Sequence, residues 1–103
     1  MRIIKSEEFM VTDYSTIVLD VRRANDYETS NDIIPDAIWK DPTKIDEWID
    51  SIPKDKEVVI FCVHGGSVSD SVVDRLRAGG IKARLIEGGI EGLKEEGGLV
   101  VKK

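Results

Sequence analysis

The chain has one cysteine, Cys62, one histidine, His64, and no glutamine in 103 residues. A lone cysteine cannot close an intrachain disulfide. It also excludes a zinc site built on several thiolates and any redox cycle that needs a second, resolving cysteine in the same chain. No run of about 18 apolar residues occurs, so a membrane-spanning helix is not expected. The opening stretch MRIIKSEE lacks the apolar region and cleavage pattern of a signal peptide, and a cytoplasmic location is the default expectation. A reducing compartment there would keep Cys62 as a thiol. Positive charge is also in short supply: 15 Lys and Arg stand against 20 Asp and Glu, a net charge of −5. This argues against nucleic acid and acidic membranes as partners, since both reward basic patches. Any anion-binding site must therefore be local. Asparagine is limited to Asn25 and Asn31. With much Lys and Glu, this composition leans toward that of thermophiles.

What is present is enough for one core. A chain of 103 residues with 41% hydrophobic residues reads as a single domain spanning residues 1–103. Ile3-Ile4 is a short apolar start, and Ser6 to Met10 reads as one helical turn with Ser6 as N-cap. The run Ile17-Val18-Leu19-Asp20-Val21 is a central strand. Arg23 to Glu28 reads as a short helix, and Pro35 keeps residues 33–39 extended or turning. Asp41 to Ile52 has a helical period, with Ile45, Trp48, Ile49 and Ile52 on one face. Glu57 to Phe61 is the most strand-like run. Val68, Val72, Val73 and Leu76 mark the next helix, which Gly79-Gly80 ends. A strand at Ala83–Ile86 and a helix at Ile90–Glu96 follow. Alternating strands and helices imply an α/β fold with a mainly parallel sheet covered on both faces. Trp39 and Trp48 read as packing residues, and Lys102-Lys103 as a solvated tail.

Cys62 falls where the strand ending at Phe61 gives way to a Gly-containing turn and then a helix. Ligands in such folds bind beyond the C-terminal ends of strands. The geometry aims backbone N–H groups at one spot beside the sulfur, and a helix N-terminus favours a thiolate. The site reads as a nucleophilic cysteine in an anion cradle formed by the amides of Val63, His64, Gly65, Gly66, Ser67 and Val68. The bland alternative is a small buried core residue, the ordinary fate of a free cysteine. His64 is either a partner of the thiolate or sulfur donor, or a solvated loop residue. Ser67 and Ser69 either cap the helix or donate hydroxyls to the anion. Asp20 and Arg22 read as a structural charge pair at the edge of the site.

Taken together, these segments resemble the rhodanese (thiosulfate sulfurtransferase) family. Ile17 to Arg22 is similar to its early strand ending in Asp-Val-Arg. Tyr27 followed by Ile34-Pro35-Asp36-Ala37-Ile38 is similar to its Tyr and Ile-Pro-Gly-Ala-Ile element. Val58 to Cys62 with the glycine turn resembles the active-site strand and loop, and Cys62-Val63-His64-Gly65 resembles the loop of single-domain members. Leu85 to Leu93 resembles the closing Gly-Gly helix, and Gly98-Leu99-Val100-Val101 the terminal element. The resemblance implies a rhodanese-like three-layer α/β/α fold. It also implies transfer of sulfane sulfur from thiosulfate or a related small anionic donor, through a Cys62 persulfide, to a thiophilic acceptor. A protein acceptor is a further candidate. No metal or organic cofactor is needed, because the cycle is a double displacement.

Several residues depart from the family pattern. Ser67 stands where many members carry Arg, Ile33 where they carry His, Asp36 where they carry Gly, and Leu93 where they carry Trp. The loop thereby lacks a fixed cation, so backbone dipoles alone are expected to hold the anion, with weaker thiosulfate binding or a different donor. Asp70, in the first turn of the helix, is expected to face solvent. The alternative function is a non-catalytic binding module or a persulfide carrier for a partner enzyme. A cysteine phosphatase needs Arg six residues after the cysteine to grip a phosphoryl group, and Val68 occupies that place.

Overall fold

β-Branched runs without polar alternation form the inner strands of a sheet buried on both faces. The computed structural model describes residues 3–9, 16–64, 66–98 and 100–102, apart from the side chains of Ser6, Glu7 and Ser67. Its strands are β1 (Ile3–Ile4), β2 (Ile17–Asp20), β3 (Asp32–Ile33), β4 (Ile38–Trp39), β5 (Glu57–Phe61), β6 (Lys82–Ile86) and β7 (Val101–Lys102). The helices are α1 (Ser6–Phe9), α2 (Ala24–Thr29), α3 (Ile45–Trp48), α4 (Ser67–Ala78) and α5 (Gly89–Glu95). Five strands make one sheet in the order β1-β6-β5-β2-β4, with every pairing parallel.

The period-2 alternation of β5 sorts its side chains between two layers. Val58 and Ile60 join Leu19, Val21 and Leu85 beneath Val72, Val73 and Leu76 of α4 and Trp48 of α3. Val59 and Phe61 face the other way, against Ile4, Ile86, and Ile90 and Leu93 of α5, with Phe9 of α1 at the margin. The result is a three-layer α/β/α arrangement. The chain runs outward from β2 to β4, then returns to the other side of β2 as β5 and continues outward to β6. The strand order thus reverses between β2 and β5, and the crevice beyond their C-terminal ends is the natural ligand site of such a sheet.

Two segments differ from the sequence expectation. Residues 41–52 form no continuous helix: 3₁₀ turns at Pro42–Lys44 and Ile49–Ser51 flank the single α-turn of α3. The Ser51 hydroxyl donates to the Trp48 carbonyl at 2.6 Å, and the Ile52 N–H bonds the Ile49 carbonyl instead. A side-chain donor has taken the carbonyl that an α-helix would offer to the backbone. Asp41 does cap this segment, accepting from the Thr43 N–H at 2.9 Å. Lys102 is solvated as expected but also paired, because β7 runs antiparallel to β3 with Lys102 opposite Asp32. Both β7 residues are exposed, so apolar periodicity could not mark them. Asp36 adopts φ 65° in the turn after Pro35, a left-handed conformation that Asp tolerates better than most side chains. Leu99, Lys103, Met10 and the Ser6 side chain lie outside the described residues.

Candidate active site

The parallel register puts the end of β2 beside the end of β5: Asp20 pairs with Phe61, and the Val21 N–H bonds the Phe61 carbonyl at 2.9 Å. The next residues of the two strands, Arg22 and Arg23 on one side and Cys62 to His64 on the other, therefore emerge together. They enclose a cavity of about 220 Å³ lined by Arg22, Arg23, Asp26, Cys62, Val63, His64, Gly66 and Val68. Of the loop residues expected at the site, Val63, His64, Gly66 and Val68 line this cavity with Cys62. Gly65 and the Ser67 side chain lie outside the described residues. His64 is exposed at the mouth, and Asp70 faces solvent as expected.

Cys62 is 8% exposed. It lines the cavity, and on the helix side its Sγ donates to the Ser69 Oγ at 3.2 Å. Gly66 is the N-cap of α4 and makes no side-chain cap. The first-turn N–H groups of a helix lack carbonyl partners of their own, and the helix dipole adds positive potential there.

α5 holds the loop from behind. The Ile90 N–H donates to the Cys62 carbonyl at 2.9 Å and the Glu91 N–H to the Val63 carbonyl at 3.1 Å. This approach requires glycine at position 89. Gly89 has φ 62°, and a Cβ there would overlap the carbonyl oxygens of Cys62 and Val63. We expect Gly89→Ala to destabilise the protein by at least about 2 kcal/mol from the left-handed backbone alone. In a domain of this size that lowers the melting temperature by roughly 10 °C or more, measurable by circular dichroism.

The loop itself carries no arginine, but two arginines from the end of β2 line the cavity. Arg22 is 1% exposed and grips the fully buried Asp20: Nε donates at 3.0 Å to both carboxylate oxygens and Nη2 at 2.7 Å to Oδ2. The Arg22 backbone N–H adds a bond to Asp20 Oδ1 at 3.0 Å. Arg22 Nη2 also donates to the Asp32 carbonyl, and the guanidinium lies 5.5 Å from the Tyr27 ring and 5.7 Å from that of Phe61. Tyr27 in turn stacks on Trp39, whose indole N–H donates to the Arg22 carbonyl at 2.9 Å. Arg22 is thus a neutralised structural cation in the cavity wall. Arg23 differs: it is exposed, lines the same cavity, and has no ion-pair partner among the described residues. Local pattern could not reveal this, because it depends on which strand lies next to β5. The Arg22-Arg23 pair after a strand was the available signal.

A second groove of about 540 Å³ shares Arg22, Asp26 and Val63 with this cavity and continues past Asn31, Asp32, Glu91, Lys94 and Lys102. Lys94 bridges Asp32 at 2.5 Å and Glu91 at 3.1 Å along it. The Lys94 hydrogen bond lowers the Asp32 pKa below 3.8, and the Asp32 bond raises that of Lys94 above 10.5. The Asp32 contribution is complete above pH 3.8 and fades as pH falls through the depressed value. The Lys94 contribution is complete below pH 10.5 and fades as pH rises beyond it. The bridge therefore stands throughout the neutral range. Among the described residues, no cluster of His, Cys, Asp and Glu is placed to hold a metal ion, and no helix is long and apolar enough to cross a membrane.

The family model for the rhodanese-like domain matches residues 7–96. The chain belongs to the rhodanese-like domain family. A rhodanese-related protein from Thermoplasma volcanium superposes with a TM-score of 0.86 at 28% identity, over 98% of each chain. A rhodanese-like domain protein from Staphylococcus aureus gives a TM-score of 0.77 at 29% identity, over 90% of this chain and 91% of that one. A tRNA sulfurtransferase from Desulfurococcus amylolyticus is 34% identical over 85 residues, which is 82% of this chain and 16% of that protein. The rhodanese-like domain thus corresponds to a small part of that relative's length.

Proposed function

We propose that this rhodanese-like domain is a sulfurtransferase that carries sulfane sulfur as a persulfide on Cys62, with thiosulfate or a related small anion as donor. The observation that carries the reading is the position of Cys62. It lines a small cavity at the strand-order reversal, together with Arg23 and residues at the start of α4. The volume of about 220 Å³ is below the roughly 300–1,000 Å³ usual for metabolite pockets. It suits an inorganic anion better than a bulky one.

In the first half-reaction the Cys62 thiolate attacks the outer sulfur of thiosulfate. The sulfur–sulfur bond breaks, its electron pair leaves with sulfite, and the persulfide remains. Helix N–H groups and Arg23 attract the anionic donor and the departing sulfite. In the second half-reaction a thiophilic acceptor, cyanide or a thiolate, attacks the terminal sulfur, and the electron pair returns to Cys62. The groove past Asp32 and Lys94 gives a thiol, including one on a protein, a path to the persulfide. A cytoplasmic, reducing setting fits an accessible thiolate of this kind.

Removing the Arg23 cation tests the donor assignment. Arg23→Ala should raise KM for thiosulfate about tenfold, the worth of one charge-assisted hydrogen bond, with kcat little changed. Arg23→Lys should restore part of the loss. An unchanged KM would remove Arg23 from the donor site.

A second reading, a persulfide carrier serving a partner enzyme, is favoured by Ser67 in place of the usual loop arginine and by the match to only 16% of a longer tRNA sulfurtransferase. Turnover separates the two. A carrier accepts sulfur from its partner but shows negligible thiosulfate:cyanide activity alone.

A further inference from the structure

We infer that the Ser69 hydroxyl is a two-position hydrogen-bond rotor, accepting from Cys62 when the sulfur is a thiol and donating to it when the sulfur is a thiolate. The inference rests on the reading of Cys62 as the sulfur-carrying nucleophile. Ser69 is fully buried. Its Oγ accepts from Cys62 Sγ at 3.2 Å and donates to the Gly66 carbonyl at 3.2 Å. A hydroxyl has one proton to give, and in this state Gly66 receives it.

Ionisation changes the arrangement. The Cys62 proton passes to water at the cavity mouth, and the thiolate becomes an acceptor only. The Ser69 oxygen would then present a lone pair to an anion unless its O–H turns toward the sulfur. That turn leaves no buried group unpaired, because the Gly66 carbonyl keeps the Asp70 N–H at 3.2 Å. A buried acceptor that loses its sole partner carries a desolvation penalty, and here the penalty is avoided. Ser69 keeps its own proton throughout and forms no covalent bond. Its oxygen is held in place because position 69 precedes Val72, Val73 and Leu76 by three, four and seven residues, on the face of α4 packed against the sheet. The same donation assists both half-reactions. It stabilises Cys62 as the attacking thiolate, then as the group that receives the electron pair when the acceptor removes the outer sulfur.

The test is the pH dependence of Cys62 alkylation by iodoacetamide in the wild-type chain, Ser69→Ala and Ser69→Thr. In Ser69→Ala the pH of half-limiting rate should rise by about one unit, the effect of losing one hydrogen bond to a charged group. The limiting rate at high pH should stay close to wild type. Ser69→Thr, which keeps the hydroxyl, should move the midpoint back toward wild type. Val72→Ala loosens the same helix without touching the sulfur and should leave the midpoint in place. Superimposable profiles for wild type and Ser69→Ala would overturn the rotor, as would an equal shift in Val72→Ala. Treatment of the wild type with thiosulfate keeps the two readings apart. Absence of a sulfur adduct alongside a shifted alkylation midpoint defeats the transferase reading alone. An adduct with an unshifted midpoint defeats the rotor alone.

Discussion

Cys62→Ser should abolish thiosulfate:cyanide turnover, lowering thiocyanate production on the order of a thousandfold or more, as expected when a covalent nucleophile is lost. Serine fits the space of the thiol, so the fold should persist and its melting curve should match wild type closely. The hydroxyl cannot replace the sulfur. Its proton is held far more tightly than that of a thiol, and the Ser69 hydroxyl, 3.2 Å from the sulfur, is itself a weak acid. Helix N–H groups that favour an anion on sulfur cannot ionise an alcohol at neutral pH. A colorimetric thiocyanate assay measures the loss. Retention of more than a few per cent of wild-type turnover would assign the chemistry to another group.

Asp20→Ala should cost about 3–5 kcal/mol, the usual effect of removing one partner from a buried ion pair. Arg22 is 1% exposed, and Asp20 accepts from its backbone N–H, Nε and Nη2. Without the carboxylate, a guanidinium remains between the rings of Tyr27 and Phe61 with only the Asp32 carbonyl described as a further acceptor. Set against the 5–15 kcal/mol total typical of a domain, about 4 kcal/mol is enough to leave part of the protein unfolded at physiological temperature. Combining Asp20→Ala with Arg22→Met should recover much of the loss, since the stranded charge then disappears as well. The exposed Arg75–Asp46 pair, whose side chains are 51% and 79% accessible, provides the contrast. Arg75→Ala should change stability by less than about 1 kcal/mol. Urea unfolding measures all of these. A loss below about 1 kcal/mol for Asp20→Ala would contradict the buried pairing.

The sequence disclosed most where burial imposes a pattern. The inner strands at 17–20 and 57–61 are β-branched runs because both faces of a parallel sheet are covered. α4 was legible from Val68, Val72, Val73 and Leu76, and its end from Gly79-Gly80. Cys62 was legible as a strand-end residue beside a helix start. Less legible was anything set by non-local pairing. The β3–β7 ladder has exposed residues in both β7 positions and left no periodic trace. Residues 41–52 carry a helical spacing of apolar residues, yet Ser51 diverts the Trp48 carbonyl and the chain tightens into 3₁₀ turns. Arg23 lines the same cavity as Cys62 because β2 is the neighbour of β5, a fact of strand order that no local motif encodes. Ser69 left a usable trace: its spacing from Val72, Val73 and Leu76 puts it on the buried face, which favours contact with the sulfur over capping.

Intact-mass measurement of the wild-type chain before and after thiosulfate, with peptide mapping of the product, examines the central claim most directly. The expected result is a gain of one sulfur atom on the peptide containing Cys62, reversed by cyanide. An unchanged mass under saturating thiosulfate, or sulfur mapped to a peptide without Cys62, would contradict it.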